Sequence, residues 1–171
     1  MGFIVYNLAE IWDSKRIDCP KLRDLRLNKD MWTMSRWHWE FSALDPNNPG
    51  SEWTVGIAES HYRCIRNAGH DKAHARILLV KEVLETPVAI RKGWSRQGKS
   101  DDCLTYIGKP AIDYHKICPE ICVPAPPGMV FLVFVTGGGT IDEWTWRKHK
   151  EGDITAPDDV EGELIWQPNQ T

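Results

Sequence analysis

Hydrophobic and polar positions alternate with period two at two places early in the chain. In WHWEFSAL, Trp37, Trp39, Phe41 and Ala43 alternate with His38, Glu40 and Ser42, and in SEWTVGIAE the apolar set is Trp53, Val55 and Ile57. Such alternation is the mark of strands with one buried face. The connecting DPNNPG is dense in turn formers, so the two strands are expected to form a hairpin. The period then changes. Ala73, Ile77, Val80 and Leu84 fall in one narrow arc of a helix at ~100° per residue. Thr86-Pro87 ends that helix, because a residue before proline is biased away from helical geometry. The preceding SHYRCIRNAG either continues this helix or forms a shorter one before Gly69, with Ser60 as its N-cap.

After Pro87 the pattern is β. VAIRKGW and DCLTYIG flank the turn-rich SRQGKSD, and IDYHKICPEICVPAPPG is a long irregular connection with a stiff, proline-rich end. MVFLVFVT is continuously apolar, as expected of a central strand covered on both faces. GGG turns the chain into TIDEWTWR, and a last ELIW pairs at an edge. Before the hairpin, residues 1–36 hold a short apolar opening and a charged segment with Pro20 as breaker, after which a short helix fits. The expected fold is α+β, an antiparallel sheet of about four to six strands packed on one main helix, with an N-terminal extension. One domain is expected over 1–171: an extension with a hairpin strand over 1–50, an α+β core over 51–150, and an acidic tail with a short edge strand over 151–171.

Composition adds class. With 42% hydrophobic and 26% charged residues the chain reads as an ordinary globular protein. No apolar run approaches the ~20 residues of a membrane helix, and MGFIVYNLAEIW has no secretory pattern. Tyr6 stands where a myristoylation motif wants Ser or Thr. Cys19, Cys64, Cys103, Cys118 and Cys122 are an odd, scattered set, which predicts reduced thiols and a cytoplasmic location. The net charge of −3 is unevenly spread: 7 basic and 9 acidic side chains over 1–60, 14 and 9 over 61–150, none and six over 151–171. The basic middle is either an anion-binding surface partly screened by the tail or an unevenly charged solvated one.

Candidate chemistry centres on GHDKAH, residues 69–74. His70 and His74 are spaced i, i+4 and share a helix face, as in zinc helices. They stand at roughly +20° and +60° from Ile77, on the border of the apolar stripe. Asp71 is a methylene shorter than the glutamate such a site uses as base, and no downstream pattern supplies a third ligand. His115, Cys118 and Cys122 form only a three-member set with proline between the cysteines, short of a zinc knuckle. No metal or other cofactor is therefore expected, and a hydrolase holding a metal through His70 and His74 is the third choice. In the last long strand, Trp144 and Trp146 share one face, Thr145 and Arg147 the other. Either Thr145 and Arg147 point to the helix edge and join the histidines, or the tryptophans point inward and Arg147 is solvated.

Taken together, IAESHYRCIRNAGHDKAHARILLVKEVLETPVAI, CLTYIGKP, MVFLVFV and TIDEWTW resemble the barnase–EndoU–colicin–RelE-like superfamily of small nucleases, particularly its phage and toxin branches. The resemblance covers residues 57–147 and is one of element pattern. It departs from the family in the wider histidine spacing and in the final strand, and residues 1–50 have no counterpart. It implies metal-independent RNA cleavage by attack of the 2′-hydroxyl on the adjacent phosphorus. A base titrating near ~6.5 suits that step, as do donors for the phosphorane oxygens. On this resemblance His70 is the general base, and His61 or His74 the acid or phosphate contact. Arg147 stabilises the phosphorane, and Thr145 and Tyr106 orient. Arg63, Arg96 and Lys99 contact backbone phosphates, and Trp146 stacks on a base. The alternative is a non-catalytic binding protein, such as a phage-encoded inhibitor or an immunity partner, with histidines as satisfied core-edge residues. A basic partner would then dock at the acidic C-terminus. The expected partners are thus RNA in one reading and a protein in the other, with no membrane in either.

Overall fold

The computed structural model describes residues 39–48, 50–58, 73–93, 102–110 and 126–168. The continuously apolar strand lies where its composition requires. Met129–Val135 is flanked on both sides in a six-stranded antiparallel sheet. With β1 (Trp39–Leu44), β2 (Glu52–Ile57), α1 (Ala73–Glu85), β3 (Ala89–Lys92), β4 (Leu104–Gly108), β5 (Met129–Val135), β6 (Ile141–Lys150), β7 (Asp153–Pro157) and β8 (Glu163–Trp166), the sheet order is β7-β6-β5-β4-β3-β8. Five strands form a meander, and β8 returns to pair with β3.

Each face of β5 has its own core. Phe131, Val133 and Val135 join Tyr106 of β4, Trp144 of β6, and Ile77, Val80, Val83 and Leu84 of α1. Trp39, Phe41, Ala43, Val55 and Ile57 of the hairpin complete that cluster. The opposite face carries Val130, Leu132 and Phe134 with Ala89, Cys103 and Ile107, and Ile154, Val160 and Leu164 pack against them. Ile154 and Leu164 belong to β7 and β8, the two edges of the sheet. Side chains from both edges meeting over one face require a strongly curled sheet. That face is concave; the other, convex, carries the helix and the hairpin.

Two local features set this curvature. Arg91 of β3 reaches across the concave side, its Nε donating to the Thr155 carbonyl of β7 at 2.8 Å and its Nη1 to the Gly162 carbonyl at 2.8 Å. On the convex side the helix lies so close that a Cβ at Gly108 would fall 2.2 Å from the Val83 side chain, so only glycine fits there.

The hairpin forms as its sequence suggests, with Trp39 opposite Ile57 and Leu44 opposite Glu52. Its turn is closed by Asp45 N–H to Ser51 O at 3.0 Å, and the Asp45 carboxylate accepts the Asn47 N–H at 2.9 Å. It is a separate two-stranded sheet, joined to the larger one through Gly56 N–H to Gly139 O at 2.9 Å and a parallel bridge from Gly56 to Thr140. Gly139 has φ +81, which its turn needs and which β-carbon sterics disfavour. The helix ends at Thr86, whose N–H and hydroxyl both donate to Glu82 O at 2.9 Å.

The α+β class holds in its coarse form, with one correction: the helix is a minor component of 13 residues covering one face of the sheet. The hairpin strand β1 is buried in the main core, and the acidic tail carries two strands, β7 and β8, one at each edge. The polar, alternation-poor DITAP hid β7, because its apolar contribution to the core is the single Ile154. No helix of the described residues is long and apolar enough to cross a membrane.

Replacing Arg91 with Ala is expected to remove both carbonyl contacts, at a cost of about 1.5–3 kcal/mol for charge-assisted bonds. Hydrogen exchange should show protection falling first in 153–166, and equal loss across β4 and β5 would contradict the clasp.

Candidate functional site

The orientation left open in β6 is decided by register. Trp144 stands opposite Val133 and Trp146 opposite Phe131, whereas Thr145 is opposite Leu132 and Arg147 opposite Val130. The tryptophans therefore face the helix side, where Trp146 meets Phe131 edge-on at 5.1 Å between centroids. Thr145 and Arg147 point to the concave side. The Arg147 guanidinium folds back on its own strand, Nη1 donating to Thr145 Oγ1 at 2.9 Å and to Trp146 O at 3.1 Å.

Tyr106 lies on the other face and is fully buried. Its hydroxyl donates to Leu44 O at 2.7 Å and accepts from Trp53 Nε1 at 2.8 Å, tying β4 to both strands of the hairpin. Burial, opposed by the Trp53 hydrogen bond and reinforced by the Asp45 charge, pushes the phenol well above its ordinary value. Both hydrogen-bonding capacities of the hydroxyl are thus used within the fold. His74 lies on α1, which packs on the same face as Tyr106. The sheet itself stands between α1 with Tyr106 and the pair Thr145 and Arg147. His61, His70, Arg63, Arg96 and Lys99 lie outside the described residues, as do Asp71, His115, Cys118 and Cys122. Among the described residues no three His, Cys, Asp or Glu side chains stand together as a metal site.

Sequence reasoning did not find what the fold does assemble. A cleft of about 270 Å³ opens where the β1–β2 turn meets the end of β3, the start of β4 and the β5–β6 turn. Asp45, Asn47, Trp53, Lys92, Asp102, Leu104 and Gly137 line it. No periodicity brings those turns together. Beside it lies a second charged feature. Glu151, Asp153, Asp158, Asp159, Glu161 and Glu163 are all exposed, on or between β6, β7 and β8. Asp153 accepts from the Thr155 hydroxyl at 2.7 Å and the Thr155 N–H at 2.9 Å, and these bonds, with the Arg91 and Lys150 charges, hold its carboxyl below the usual range. Register places Glu163 opposite Lys92, so the acidic segment runs up to the cleft.

No protein-family model, curated protein or solved structure matches this chain.

Two measurements check these assignments. Tyr106→Phe leaves the Leu44 carbonyl and the Trp53 N–H without a partner, and urea unfolding should show a loss of about 2–6 kcal/mol at ~1–3 per orphaned group; under about 0.5 kcal/mol would remove the hydroxyl from its joining role. Cys103, buried on the concave face, has its thiol pushed up to about 11 by burial first and by the Asp142 charge second. Being raised, its contribution to stability is present below the unfolded thiol value and is lost as pH rises toward the folded one. Iodoacetamide at about pH 8 should leave Cys103 unmodified in the native protein and label it fully in denaturant, as mass mapping will show. Stability should decline with pH above about 9.

Proposed function

We propose that this protein works by binding, docking a basic protein partner on the acidic edge of its curled sheet. The observation that carries the reading is the exposure of all six carboxylates of 151–163, with no basic residue anywhere in 151–171. They stand on ordered backbone, because β7 and β8 pair with β6 and β3 and Arg91 clasps the segment between them. A presented array of like charges raises association rates with an oppositely charged partner and rejects like-charged ones.

The RNase suggested by the superfamily resemblance has less support. Its chemistry needs a base, an acid and a phosphorane-stabilising cation within reach of one phosphorus. Arg147 and Thr145 are separated by the sheet from α1 and Tyr106, and an acidic edge repels a polyanion.

The test is titration of the full chain into a labelled oligolysine peptide, followed by anisotropy. Binding with a Kd of about 1–10 μM at low salt is expected, weakening steeply as salt screens the charges. The combined variant Asp158→Asn, Asp159→Asn, Glu163→Gln should weaken it by about tenfold or more. Absence of binding would overturn the proposal. So would RNA cleavage in EDTA that wild type performs and Arg147→Ala does not.

A further inference from the structure

We infer that the cleft between the hairpin turn and the end of the large sheet is an anchor pocket for one arginine side chain of that partner. The inference rests on the reading that the protein docks a basic protein, and it names the residue type and the place. Trp53 supplies the wall. Its indole is anchored by Nε1, which donates to Tyr106 Oη at 2.8 Å, and by packing of the ring against the core of the convex face. An indole fixed in advance costs little ordering when a planar guanidinium stacks on it.

Two carboxylates border the same space. Asp45 is oriented by accepting the Asn47 N–H through Oδ1, which leaves Oδ2 to accept from a ligand. Asp102 is exposed and sits against the β5–β6 turn, where a Cβ on Gly137 would fall 2.8 Å from its own Cβ. Leu104 provides an apolar surface for the methylene stem of a long side chain. The Asn47 amide oxygen is a further acceptor.

Lys92 is the opposing charge. Among the described residues of the lining, Asp45, Asp102 and Lys92 sum to a net −1. A guanidinium entering the cleft is attracted by two carboxylates and repelled by one ammonium. The acidic segment beside it, with Glu163 opposite Lys92 and a hypothetical Gly162 Cβ only 2.5 Å from the Lys92 carbonyl oxygen, makes the pocket continuous with the docking edge.

The opposed charges give variants of opposite sign. Calorimetric titration of the full chain with N-acetyl-arginine amide should give a Kd of about 1 mM, as befits one anchor residue, and the uncharged citrulline analogue should not bind. Asp102→Asn should weaken arginine-amide binding by about fivefold and Lys92→Gln should tighten it by a similar factor, the scale of one exposed charge. Both side chains are exposed, and circular dichroism of each variant checks that it folds. No saturable binding, equal binding of citrulline, or indifference to both variants would each overturn the pocket. Oligolysine binding that persists in any of those cases would leave the docking reading intact, and its loss in wild type would overturn both.

Discussion

A strand that is apolar on both faces cannot be satisfied by one cover, and β5 is such a strand. Val130, Phe131, Leu132, Val133, Phe134 and Val135 are all buried, which at ~25 cal/mol per Å² of apolar area makes this segment a substantial source of hydrophobic driving force. One face is closed by α1 and the hairpin. For the other the chain has no second helix among the described residues, and the sheet covers itself instead, curling until Ile154 of β7 and Leu164 of β8 reach over Leu132 and Phe134. The fold's asymmetry follows from this: a conventional helix-on-sheet layer on the convex side, and a half-barrel on the concave one.

Curling a sheet brings polar backbone toward an apolar interior, and Arg91 resolves that conflict. The Thr155 and Gly162 carbonyls point at the concave side, and a single guanidinium takes both. Arginine suits the place because its donors are fixed in a fork and its stem can lie along the apolar face. Thr105, opposite Arg91 and fully buried, has no partner for its hydroxyl. The concave interior is therefore not a fully satisfied polar network there, whereas at the convex junction Tyr106 uses both donor and acceptor.

How much of this the sequence disclosed depended on whether a feature was local. The hairpin, the helix end at Thr86-Pro87, the central β5 and the edge strand at ELIW all follow from periodicity and turn chemistry, which act over a few residues. The sign of β6 did not. Trp144 and Thr145 read equally well in either orientation, because register against β5 and not composition assigns the faces. That one ambiguity decided whether Arg147 could meet the helix. Nor could the cleft be read, since its lining comes from the hairpin turn, the β5–β6 turn and residues on or beside β2, β3 and β4 far apart in the chain. The strand β7 escaped for a different reason: it is held by pairing with β6 and by a clasp from β3, and so needs almost no hydrophobic pattern of its own.

The same clasp bears on why an acidic edge is tolerated at all. Six exposed carboxylates within 151–163 repel one another, and a segment of that composition left alone would favour extended, unfolded states. Arg91 lies beneath them as a half-buried counter-charge, and Lys150 stands at the turn into β7. Arg91 holds the backbone of the segment from the inner side, while the six carboxylates stay exposed. Solvation alone would be served as well by mixed charges, which repel less and leave no single-sign field. A one-sign array kept rigid against its own repulsion is what an electrostatic docking edge requires: the ordering entropy is met in the free protein, and a cationic partner gains the relief of that repulsion on arrival.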